Sequence, residues 1–149
     1  MQFLGNKEIL KHPKTAFISS QKCPANVILK SYDWAKKQRA EENCIVCSNH
    51  SPIEKDVFEI LIRGKQPLIL VLPRSMKTRW EPEIETALSE NRLLIVSPFS
   101  DGEAKRITRE TAAQKNKTII EISDNIVVGY KTPGGQLDGL LFGHNHTIL

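Results

Sequence analysis

Cysteine is too scarce here to build with. Three residues, an odd number, exclude a disulfide framework and make a reducing cytoplasm the expected compartment. Nothing in Met1-Gln-Phe-Leu-Gly-Asn-Lys-Glu8 reads as a secretory leader, because no basic segment precedes an apolar run. No stretch approaches the length of a membrane span, so a helical membrane protein is not expected. Charge of one sign never accumulates either. The net charge is +4 and the pI about 9.0, but the cations are scattered, which tolerates a polyanionic partner without demanding one. There is no internal repeat and no low-complexity linker. The 149 residues are expected to form a single domain, 1–149, with a full hydrophobic core.

What is present is an alternation of strand-like and helix-like segments. Lys14–Asn26 sets the pattern: an apolar, β-favouring strand at about 14–19, a polar loop Ser19–Cys23, and Pro24 where a helix can begin. Pro24–Ala40 reads as an amphipathic helix with Val27, Ile28, Leu29, Tyr32, Trp34 and Ala35 inward. Before it, Asn6 can cap a helical turn that His12-Pro13 stops. A second strand, Asn43–Ser48, runs into a clear helix start: Ser51 as N-cap, Pro52 in the first position and Glu54 completing a capping box. Gly64 stands where a left-handed residue would end that helix. Pro67–Leu72 is apolar throughout and predicts a strand covered on both faces. A short helix (Glu81–Asn91), a fourth strand (Leu93–Val96) and a helical pattern from about Glu103 follow. Thr118–Ile122 fits either a strand or the end of a long helix, whereas Ile126–Tyr130 reads as a strand.

Such alternation implies an α/β fold: a Rossmann-like three-layer domain on a mostly parallel sheet of five or six strands. Ligands of these sheets sit at the carboxyl ends of the strands, where strand order reverses. The loops Ser19–Cys23, Ser48–Ser51, Pro73–Ser75, Ser97–Gly102 and Lys131–Gln136 would gather there. They are small, hydroxyl-bearing and glycine-containing, which suits phosphate or a nucleotide. A metal site would want clustered carboxylates or histidines, so neither a metal nor an organic cofactor is expected.

The residues Ser19-Ser20-Gln21, Ser48-Asn49-His50, Gln114–Asp124, Ile126–Tyr130 and Pro133-Gly134-Gly135 together resemble the Rossmann-like core of the DNA-processing protein A (DprA/Smf) group. That group lies in the wider SLOG superfamily, which also holds the LOG-type nucleotide phosphoribohydrolases. The likeness covers about residues 14–136 and implies that Gln114–Ser123 is helical. It leaves no room for the further domains of full-length DprA. Departures are plain. Ser20-Gln21 and Lys115-Asn116 stand where the group carries Ser-Arg and Arg-Asn, so Gln21 supplies neither charge nor a bidentate fork. Ser48-Asn49-His50-Ser51 lacks the glycines of the second loop. Leu141 takes the place of the LOG-type catalytic glutamate, which argues against glycosidic hydrolysis by that mechanism.

The resemblance therefore implies a non-catalytic module binding a nucleotide or single-stranded nucleic acid, with no catalytic residue assigned. Candidate ligand-binding residues are Ser19, Ser20, Gln21, Ser48, His50, Ser51, Arg74, Lys115, Asn116, Gly134 and Gly135. The alternative is a nucleotide N-glycosidase in which Asp138 or Glu54 replaces the missing glutamate. A third reading is a structural or homodimerising relative that has lost its ligand. Other constellations are weaker. Cys44-x-x-Cys47 on a strand sends its thiols to opposite faces and predicts core cysteines. His144-Asn-His146 lacks the setting of a metal clip and predicts an edge-pairing tail. Trp34 belongs to the core, while Trp80, beside Lys77 and Arg79, is a candidate ligand contact. Lys105, Arg106 and Arg109 form a solvated helix face and the best candidate nucleic-acid footprint.

Overall fold

The computed structural model describes residues 1–149. Seven strands form one sheet: β1 (Gln2–Gly5), β2 (Thr15–Ile18), β3 (Ile45–Cys47), β4 (Leu68–Val71), β5 (Leu93–Ser97), β6 (Asn125–Val128) and β7 (Thr147–Ile148). Their order is β1-β5-β4-β3-β2-β6-β7, and every pairing is parallel except that of β1 with β5. The five inner strands are those the sequence predicts. The two edge strands lie beyond that expectation, because neither four half-exposed residues nor two exposed ones carry a periodic signal.

Alternation along the inner strands divides the core into two layers. Phe17, Ile45, Cys47, Leu68, Leu70, Leu93 and Ile95 face α1 (Ala25–Ala40), α2 (Pro52–Ile62) and α3 (Pro82–Ser89). Ala16, Ile18, Cys44, Val46, Ile69, Val71, Leu94 and Val96 face α4 (Arg109–Ile122), α5 (Gln136–Leu141) and a 3-10 turn over Lys7–Lys11. Period-two geometry on a sheet covered by helices on both faces produces this partition. Cys44 and Cys47 therefore lie in different layers, both buried and unpaired. The turn at Lys7–Lys11 is capped by Asn6 and ends at His12, as the sequence predicts.

Several local expectations are corrected, while those for Trp34 and for Thr118–Ile122 hold. Leu29 is 64% exposed, and Ser31 takes the buried position on α1 by donating its hydroxyl to the Val27 carbonyl at 2.8 Å. Trp34 is half-buried and stacks on Phe17 with centroids 5.3 Å apart. Gly64 does not adopt positive φ. A Cβ there would stand 2.1 Å from Gln66 Oε1 and 2.6 Å from Arg39 Cγ, so a larger residue would have to displace those two side chains. Helix α4 begins at Arg109, not near Glu103, because Thr108 forms the capping box with Thr111. Thr118–Ile122 is the end of that helix.

Candidate nucleotide-binding cleft

Strand order places the switch point between β2 and β6. The chain steps outward from β2 through β3, β4 and β5, then returns by α4 to the opposite side of β2. The carboxyl ends of the strands at this point open into a cleft of about 580 Å³. Ser19, Ser20 and Gln21 follow β2; His50 and Glu54 come from the loop and first turn after β3; Thr132, Gly135, Gln136 and Leu137 follow β6. Ile107, Thr108, Arg109, Ala112, Lys115 and Asn116 supply the wall along α4. The site thus lies where open α/β sheets hold their ligands.

The two serines after β2 are largely occupied with the fold. Ser19 Oγ accepts from the Tyr130 N–H at 3.0 Å and donates to the Ser20 carbonyl at 3.2 Å. Ser20 Oγ accepts from the Thr132 N–H at 3.1 Å, and the Ser20 N–H reaches the Tyr130 carbonyl at 2.7 Å. These bonds tie the loop after β2 to the loop after β6. Gly129 makes the tie possible, since a Cβ there would lie 3.0 Å from Ser19 Oγ and 3.2 Å from Phe17 Cζ. Ser20 keeps its own O–H for a ligand, and the exposed Gln21 amide stands beside it.

Glu54 and Lys115 form the buried side of the cleft. Their side chains are 2% and 3% exposed, and Lys115 Nζ lies 2.7 Å from Glu54 Oε2. Glu54 Oε1 accepts from the Ser51 N–H at 3.0 Å, which closes the capping box of α2. Glu54 belongs to the helix layer on one face of the sheet and Lys115 to the layer on the other. The pair therefore bridges the layers at the carboxyl edge. Lys115, a candidate ligand-binding residue from the sequence, lines the cleft as a cation already paired with Glu54. His50, half-buried, has its imidazole held below the ordinary 6.5 by burial first and by the Lys115 ammonium second. It presents a neutral ring to the cleft. None of the five ion pairs uses Arg109, so its guanidinium is the uncommitted cation of the wall.

The remaining candidates divide. Asn116 and Gly135 line the cleft. Ser51 is spent as the α2 cap, and Ser48 is fully buried with a hydroxyl that finds no protein partner. Gly134 lies just outside, at φ +70°, and its N–H donates to Asp138 Oδ2 at 2.9 Å. Arg74 also lies outside, with Nε donating to the Ser75 carbonyl at 3.2 Å. Its loop is knotted to the loop after β5. Ser97 Oγ donates to the Arg74 carbonyl at 2.7 Å, and Ser75 Oγ donates to the Ser100 carbonyl at 2.8 Å. Three of the five expected loops thus line the cleft, while the other two bind each other. Trp80 packs on the α1–α3 core layer under the Lys77 ammonium, 5.4 Å from the ring centroid, and does not reach the cleft. Lys105 and Arg106 are exposed in the loop before α4 rather than on the helix. Ile107 and Thr108 are site residues that sequence reading misses. The capping pattern Thr108-x-x-Thr111 is the signal that would have moved the helix start and exposed them.

Of the two carboxylates that could replace the missing glutamate, Glu54 lines the cleft but is paired with Lys115, and Asp138 does not line it. Leu141 is 1% exposed in the core layer under α5. Asp138 sits outside the cleft, bonded to the Gly134 N–H and 3.2 Å from Lys131 Nζ. Those bonds, the backbone one first, hold its carboxyl below the ordinary range. His146 is engaged as well: Nδ1 contacts the His144 carbonyl at 2.8 Å and Nε2 lies 3.3 Å from Lys131 Nζ. No group of three or more metal-binding side chains is present.

Fold and cleft together define a Rossmann-like α/β protein with a polar cleft at its switch point. Among solved structures this fold is that of DNA processing protein A. The Helicobacter pylori protein superposes with a TM-score of 0.73 at 14% identity, covering 98% of this chain and 69% of its own. The Streptococcus pneumoniae protein does so at 0.73 and 18%, covering 98% of this chain and 53% of its own, so this chain spans about half of that protein. The molybdenum cofactor binding protein of Rippkaea orientalis is more distant, at 0.58 and 9%, covering 91% of this chain and 75% of its own. No family profile and no curated protein sequence matches the chain.

Proposed function

We propose that residues 1–149 form one non-catalytic binding domain whose cleft takes a nucleotide unit, free or within single-stranded nucleic acid. The observation that carries this reading is the chemistry of the cleft wall. It combines the Gln21, Asn116 and Gln136 amides, a neutral imidazole, hydroxyls and one uncommitted guanidinium. Amides and an imidazole can satisfy the edge of a base, and Arg109 can take a phosphate in its fork. The single carboxylate, Glu54, is already engaged by Lys115. A second support is the shared fold, since the Helicobacter pylori protein is described by its single-stranded DNA binding mode.

Fluorescence anisotropy with labelled single-stranded oligonucleotides across a salt series tests the proposal. Arg109→Ala is expected to weaken binding and flatten the logarithmic salt slope by ~0.7, the share of one phosphate on a single strand. Arg74→Ala, outside the cleft, is expected to leave both unchanged. Salt-insensitive association, or a response to Arg74→Ala but not to Arg109→Ala, would overturn the assignment.

A further inference from the structure

The buried side of the cleft has an unusual charge arrangement for a phosphate binder. Its lysine is present but already answered. Lys115 and Glu54 both line the cleft, yet almost no solvent reaches either, and 2.7 Å separates their charged atoms. The second oxygen of Glu54 is fixed by the Ser51 N–H, so the carboxylate is held from two sides and cannot swing away without uncapping α2. A phosphate approaching Lys115 would have to share the ammonium with a carboxylate at contact distance, and like charges in a low-dielectric pocket repel strongly. At the exposed side, Arg109 has no such rival. The same cleft is lined by Gln21, His50 and Asn116, all uncharged hydrogen-bonding groups.

We propose that Glu54 is a specificity-determining residue: its carboxylate serves as a resident anion on Lys115, so the buried side of the cleft refuses phosphate and takes an uncharged, hydrogen-bonding part of the ligand. This rests on the nucleotide-binding reading above and gives it an orientation, base toward Glu54 and Lys115, phosphate toward Arg109. Glu54→Gln keeps an oxygen for the Ser51 N–H while removing the charge. It should turn the same pocket into a phosphate site.

Inorganic phosphate is the first probe, read by thermal unfolding. Wild-type protein should show only the shift that Arg109 supports, whereas Glu54→Gln should gain a further ~4 °C with phosphate at about ten times its Kd. Single-stranded oligonucleotides are the second probe. Glu54→Gln should bind more tightly at low salt with a slope steeper by ~0.7, one added phosphate contact. The double variant Glu54→Gln/Lys115→Met, which carries no unpaired buried charge, should return to the wild-type slope. It also decides the matter should the single variant fail to fold. A phosphate shift of equal size in wild type and Glu54→Gln would overturn the proposal. So would a double variant whose slope falls below that of wild type, because Lys115 would then already serve a phosphate. Wild-type silence toward every oligonucleotide and nucleotide would remove the functional reading, while the phosphate arm would still decide the role of Glu54.

Discussion

His50 shows how a single side chain reports on this cleft. Its imidazole titrates below the ordinary 6.5 because burial and the Lys115 ammonium both disfavour the cation. As pH falls through 6.5 the unfolded chain therefore takes the proton first. Stability is lost across that window and is unaffected by this group above it. His50→Asn is expected to flatten the loss as pH falls below 6.5, seen as a smaller drop in urea midpoint; an identical drop in the variant would show that another group is responsible. The thiols offer a second check. Burial pushes Cys44 up to about 11 and raises Cys47 further, with the Glu54 carboxylate adding to the effect on Cys47. Cys23, in the loop after β2, is only half-buried. A thiol reagent at about pH 8 should label Cys23 alone in the native protein and all three cysteines after denaturation, as intact mass will show. Native labelling of Cys44 or Cys47 would contradict their placement in the core layers.

At the scale of elements, α2 is anchored by its own first turn. Ser51 Oγ accepts from the Glu54 N–H, and Glu54 returns the bond to Ser51. Ser51→Ala should cost ~1 kcal/mol in denaturant unfolding. Glu54→Ala removes both the cap partner and the counter-ion of a buried lysine, so it should cost ~3–5 kcal/mol. A cost no larger than that of Ser51→Ala would mean that Lys115 finds another partner. Edge strand β1 depends on Gly5. Its φ is +103°, and a Cβ would stand 2.3 Å from the Leu93 carbonyl oxygen. That oxygen also accepts the Asn6 N–H at 3.1 Å. Gly5→Ala is therefore expected to release β1 from β5, with faster amide exchange in Gln2–Asn6 than in the inner strands. Equal protection in the variant would refute this account of the edge.

For the molecule as a whole, the sheet divides the labour between its faces. Helices α1, α2 and α3 cover one face; α4, α5 and the 3-10 turn cover the other. The Glu54–Lys115 pair is the polar link between these layers. It lines the cleft, so the residues that couple the two layers are also residues of the proposed site. No helix is long and apolar enough to cross a membrane. Ligand binding at the switch point should therefore slow amide exchange in the first turns of both α2 and α4, which lie on opposite faces. Protection confined to one of the two would place the ligand outside the cleft.

By itself the sequence determined the inner strands, the α2 cap and the separation of Cys44 from Cys47, because each depends on local periodicity or on hydrogen bonds within one turn. Val46 and Ile69 need only alternate to find the core. Tertiary structure alone decided which polar groups remain free. Ser19 looks like a ligand hydroxyl until β6 arrives beside β2 and the Tyr130 N–H claims it. Lys115 reads as a phosphate cation until α4, sixty-one residues along the chain, meets Glu54. Arg74 belongs to a strand-end loop, yet Ser97 and Ser100 hold that loop away from the cleft. The edge strands are decided in the same way, since β1 and β7 are largely exposed, carry no buried alternation and take their conformation from the neighbour that pairs with them. A side chain's type sets what it can bond, but what it does bond depends on which distant segment folds against it first in space, and no local pattern encodes that.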